Sequence, residues 1–103
     1  MAFTNKLGAP IQVIGGVNIE AAAVAGALTP SGSTFQHLTA AGAMDLTLPA
    51  EADSNGLWYM ISAFTSTITV KDDGGATIST VATTKMAVVA CDGAAWVQMF
   101  IQT

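Results

Sequence analysis

The stretch KMAVVACDGAAWVQMFI, residues 85–101, decides the fold class. Asp92-Gly93 at its centre is a tight-turn signal, because aspartate and glycine tolerate the left-handed backbone that hairpin turns need. On either side lie runs 85–91 and 95–101, rich in Val, Met, Ala and aromatic residues and of strand length. The pair predicts an antiparallel hairpin. Both runs are apolar on both faces, whereas an antiparallel strand in a small chain ordinarily keeps one face wet.

Working back towards the N-terminus, TITVK (67–71) alternates, with Ile68 and Val70 on one side. Asp72-Asp73-Gly74-Gly75 follows as a second hairpin turn and leads into ATIST (76–80). LWYMISAF (57–64) is a third strand apolar on both faces, and EADSNG (51–56) before it is a turn-rich break. MDLTL (44–48) sets Met44, Leu46 and Leu48 against Asp45 and Thr47, and TFQHLTA (34–40) opens the series. Short strands at regular spacing with turn residues between them predict an all-β protein, an antiparallel β-sandwich or barrel. Leu46, Leu48, Ile68, Val70, Ile78 and Trp96 are its expected core.

Residues 1–33 differ in composition: Gly- and Ala-rich, punctuated by Pro10 and Pro30, with no aromatic residue after Phe3. The chain therefore divides into an N-terminal arm, 1–33, and a β-sandwich body, 34–103. In IQVIGGVNI (11–19) a three-residue loop of Ile14, Gly15 and Gly16 pairs Val13 with Val17 and Ile11 with Ile19, a small hairpin. EAAAVAGAL (20–28) reads either as a helix capped by Asn18 or as an extended segment lying on a neighbour. Phe3, Leu7, Ile11, Val13, Val17 and Ile19 make the segment too apolar to stand in water, so it is expected to dock as an attachment arm. The alternative is an extra strand pair closing its own sandwich.

The 103 residues suit one domain, with 51% hydrophobic residues, 10% charged, no arginine and a net charge of −4. A typical soluble domain is roughly a quarter charged. Nucleic-acid binding is not expected, because phosphate neutralisation needs clustered Lys and Arg. Nor is disorder, nor a membrane helix, since no apolar run reaches about 18 residues. Met1 to Pro10 lacks a basic segment followed by an apolar one, so synthesis in a cytoplasm without export by a signal peptide is expected. Sparse charge together with two-sided strands predicts self-association, with Val88, Ala90, Val97, Met99 and Ile101 as the candidate oligomer interface.

Chemistry is sparse. His37 is the sole histidine and Cys91 the sole cysteine. An enzyme would need His37 beside a Ser, a Thr or Cys91 in a cleft, and no nucleophile-elbow motif is present. One His and one Cys do not fill a zinc shell, and Asp72-Asp73 reads as turn chemistry rather than a calcium loop. The Gly-Gly pairs lack the context of a phosphate loop. No catalytic, metal or cofactor residues are expected. Trp58, Tyr59 and Trp96 suit either core or interface packing, the favoured reading, or a sugar-stacking surface.

The runs LTLPAEADSNGLWYMI (46–61), ITVKDDGGATI (68–78) and VVACDGAAWVQM (88–99) resemble small β modules in structural proteins of tailed bacteriophages. Leu48, Pro49, Gly56, Trp58, Gly74, Gly75, Asp92, Gly93 and Trp96 carry the resemblance, which covers residues 34–103. Such modules occur in capsid decoration proteins, head fibres and tail fibres, often as trimers. The resemblance implies a virion protein made in the host cytoplasm, a homotrimer contacting the major capsid protein. A short chain without heptads fits a decoration or stabilising protein of the head. The alternative is a receptor- or carbohydrate-binding module of a tail fibre or tail tip.

Overall fold

Alternation with a period of two becomes sheet only when each strand finds an edge to pair with, and here the edges come from two sheets in turn. In the computed structural model the described residues are 2–4, 10–12, 17–20, 25–30, 32–40 and 42–103, with side chains described from residue 26 onward. These form eleven strands: β1 (Ala2–Thr4), β2 (Pro10–Gln12), β3 (Val17–Glu20), β4 (Ala25–Ala27), β5 (Phe35–Leu38), β6 (Met44–Thr47), β7 (Trp58–Ala63), β8 (Ile68–Lys71), β9 (Thr77–Val81), β10 (Lys85–Cys91) and β11 (Trp96–Ile101). A five-stranded sheet runs β11-β10-β7-β5-β3 and a four-stranded sheet β4-β6-β8-β9, while β1 and β2 pair with each other.

The all-β, sandwich-like class stands, but the pairing is mixed rather than antiparallel throughout. From β3 to β8 successive strands fall alternately in the two sheets. Each return to a sheet is in the same direction, so β3, β5 and β7 are parallel neighbours, as are β4, β6 and β8. A parallel pair needs a long crossover, usually a helix. Here the crossover is a strand of the opposite sheet. The two hairpins signalled by turn residues form in place: β8–β9 around Asp72–Gly75 and β10–β11 around Asp92-Gly93. Gly75 and Gly93 take positive φ, 91° and 93°. Asp92 accepts hydrogen bonds from the N–H groups of Ala94 and Ala95, which hold its carboxyl below the usual carboxylate range.

The core lies between the sheets. Leu38, Tyr59, Ile61, Ala63, Ala87, Val89, Cys91 and Trp96 point in from one side, and Met44, Leu46, Ile68, Val70 and Val81 from the other. Of the expected core residues all are buried except Ile78, which is half-buried against the cluster. A bulge between Val70 and Lys71 shifts the register there, and Ser79 takes the inward place opposite Val70. Buried polar ends are satisfied. The Trp96 indole donates to the Pro49 carbonyl at 2.9 Å, and the Tyr59 hydroxyl donates to the Thr29 carbonyl at 2.9 Å. Burial pushes the Tyr59 phenol up to about 12.

The expected hairpin over 11–19 does not form. Ile11 sits opposite Phe3 in β1, and Ile19 sits opposite His37 in β5. Pairing β3 along β5 extends a four-stranded ladder to five, whereas the local hairpin would be a two-stranded ribbon, marginal in water by itself. Leu7 and Val13 lie outside the described residues, as do 14–16, the expected loop, and 21–24. Within 20–28 the described Ala25–Ala27 is extended, paired with β6. The division between 33 and 34 therefore runs through both sheets, with β3 and β4 on the N-terminal side of it as edge strands.

Candidate interaction surface

Residues that point away from the core on the five-stranded sheet are the candidate site. Register puts them in rows across the strands. Phe100, Val88, Met60 and Phe35 form one row, with Val17 opposite Phe35 in the backbone register. Met86, Ser62 and His37 form the next, with Ile19 in register, and Val97, Ala90 and Trp58 form the third. Trp58 meets Phe35 edge to face at 5.7 Å, and Phe64 tilts against His37 at 5.0 Å. The large hydrophobic side chains exposed among the described residues are Phe64, Met86, Val97, Met99 and Phe100, all on this sheet or at its margin, with Met99 65% exposed. A shallow groove of 240 Å³ runs between Phe35, Gln36, His37, Met60, Ser62 and Met86.

Four of the five residues expected at an oligomer interface belong here. Val97 and Met99 are exposed, while Val88 and Ala90 are half-buried on the same side. Ile101 is not: it sits opposite the inward-facing Ala87 and packs on the core. The cause is a bulge. Val88 faces Phe100 but Val89 faces Gln98, so Met99 is an extra residue and the parity beyond it reverses. Gln98, in register with the inward-facing Val89 but itself exposed, accepts a hydrogen bond from Ser79 Oγ of the other sheet at 2.7 Å. Phe35, Met60, Phe64, Met86 and Phe100 were missed by the sequence reading, which had singled out Trp58 as a core or interface residue or a stacking group. Met86 shares its parity with Val88 and Ala90 and was recoverable from alternation alone.

The structure brings His37 and Ser62 together. They are directly opposite in the parallel β5–β7 ladder, with His37 Nδ1 3.2 Å from Ser62 Oγ. An activated serine also needs an acid to orient the imidazole and N–H donors to hold an oxyanion. Among the described residues no carboxylate hydrogen-bonds His37. Both residues lie mid-strand in interior strands, where backbone N–H groups serve the ladder. The pair is a polar spot within an apolar face.

Cys91 points into the core, and burial first of all pushes its thiol up, away from the reactive thiolate. Tyr59 and Trp96 are buried with their rings 5.7 Å apart, which removes both from any sugar-stacking surface and leaves Trp58. Among the described residues no cluster of three His, Cys, Asp or Glu could hold a metal ion, and no helix is long and apolar enough to cross a membrane. Of the expected arm residues, Phe3 and Ile11 face each other in the β1–β2 pair and Val17 and Ile19 lie in β3.

The fold and surface thus define an all-β protein, two sheets around one core together with the β1–β2 pair, with one sheet face apolar and exposed among the described residues. Comparison with protein-family models, with curated proteins and with solved structures finds no match to this chain.

Proposed function

We propose that this chain is a structural protein of a tailed-phage virion, without catalytic activity, that decorates and stabilises the head lattice as a homotrimer bound to the major capsid protein. The observation that carries the structural role is the apolar outer face of the five-stranded sheet. A face of this size with exposed Phe64, Met99 and Phe100 is a liability in a free monomer and an asset in a permanent assembly. The virion context comes from the resemblance of residues 34–103 to phage β modules. Many equivalent lattice sites reward a symmetric oligomer, since several weak contacts made together raise avidity. Carbohydrate binding at a tail tip is the weaker reading, because Tyr59 and Trp96 lie in the core.

Cryo-electron microscopy of the native particle tests the proposal. Density for this chain repeated at equivalent positions of the head lattice is the expected result. Density confined to the tail, or none, overturns it.

A further inference from the structure

We propose that the outer face of the five-stranded sheet seats against the same face of a second copy of this chain, so that it is the homotypic contact and not the contact with the lattice. Like face on like face closes as a two-fold pair, so the contact keeps the self-association of the reading above but joins two copies in place of three, and it is independent of the virion setting.

Charge distribution argues for the occupant. Each copy carries a net charge of −4, so two copies repel unless they meet where carboxylates are absent. The described acidic residues are Glu20 at the end of the edge strand β3, in register with the inward-facing Leu38, Asp45 on the four-stranded sheet, Glu51 and Asp53 in the crossover, and Asp72, Asp73 and Asp92 in the turns. None stands in the three outward rows of the five-stranded sheet. An acidic chain has thus kept one face neutral, and that face is the apolar one. A basic partner would be met by carboxylates; a second copy of an acidic chain is met by none.

Size agrees. Strands of 6, 7, 6, 4 and 4 residues, spaced about 4.8 Å apart with a rise of about 3.3 Å per residue, give a flat footprint of about 430 Å² per copy. Two copies cover about 860 Å², and the relief of standing side chains raises this towards the roughly 1,200 Å² at which specific interfaces begin. The His37–Ser62 hydrogen bond pairs the serine hydroxyl with Nδ1 within one copy, which leaves the imidazole Nε2 as the polar group that a covering copy has to meet.

Sedimentation of the full chain at micromolar concentration decides the matter, with Phe100→Glu and Val97→Glu as probes and Thr80→Glu, on the opposite outer face, as control. Phe100 and Val97 are 52% and 41% exposed, so both variants are expected to fold, which circular dichroism checks. The native chain and the control should be dimeric. The probes should dissociate with association weakened about a hundredfold, as an unpaired charge in an apolar contact demands. A monomeric native chain, an oligomer indifferent to both probes, or one broken by Thr80→Glu overturns the proposal. So does a monomer that binds phage heads through a Phe100-dependent contact, which would assign the face to the lattice. Failure of the virion reading shows separately, as an oligomer that binds no heads.

Discussion

On the outer face of the four-stranded sheet, Asp45, Thr69 and Thr80 stand in one row and Thr47, Lys71 and Thr77 in the next. On the five-stranded sheet the equivalent positions hold Phe100, Val88, Met60 and Phe35, then Met86, Ser62 and His37. Both sets lie outside the same core. Threonine suits a wet strand because its β-branched stem favours extended backbone while its hydroxyl meets water. The polar sheet therefore shows what a face looks like when it only has to fold and stay dissolved. The apolar sheet departs from that pattern without adding to the core among the described residues, which is the composition that the proposed contact between copies calls for.

The largest effect expected from a single substitution leaves both outer faces alone. Trp96→Ala should cost about 3–5 kcal/mol, since it empties a buried site and orphans the Pro49 carbonyl that the indole meets. Thermal or denaturant unfolding reads it. Little loss would mean that the interior contributes less than contact between copies, and that the two faces do not rest on a common self-sufficient core.

Next in size is an alkaline limit. The folded Tyr59 phenol is held at about 12 against an ordinary value of 10.0, so the unfolded chain gives up this proton first. Stability from this group is intact below pH 10 and is lost as pH rises towards 12, by at most roughly 3 kcal/mol. Tyr59→Phe should flatten that decline while losing the hydroxyl bond to Thr29. An unchanged slope would show that the phenol is wetter than its place in the core implies.

The smallest effect bears on the polar face. Asp45→Asn removes the ion pair with Lys71 at 3.0 Å, and because both side chains are solvated the cost should be below about 0.5 kcal/mol and should shrink with salt. A loss above about 1 kcal/mol, insensitive to salt, would mean that this face too is covered in the native state, and the contrast between the sheets would dissolve.

Local chemistry was readable in the sequence and distant pairing was not. Asp92-Gly93 and Asp72–Gly75 were read as hairpins because turn geometry depends on adjacent residues. Leu46, Ile68 and Val70 were read as core because alternation is local. Crossovers such as 51–56 use the same turn residues as hairpins, so nothing in their composition says that the chain is changing sheets. That hid the parallel β5–β7 register, and with it the meeting of His37 and Ser62. Ile101 was misplaced for a different reason: counting by twos from Val97 and Met99 fails after one inserted residue.

The winding between the sheets also gives the chain a temporal order. Residues of β10 meet β11 across a turn, but Val17 must find Phe35, and Phe35 must find Met60, before either strand has its place. Closing such loops costs chain entropy that no local contact returns, so rate is limited there rather than at the hairpins. The strands that leave the ribosome first are bound by contacts that do not yet exist, and those made last are bound almost as they appear.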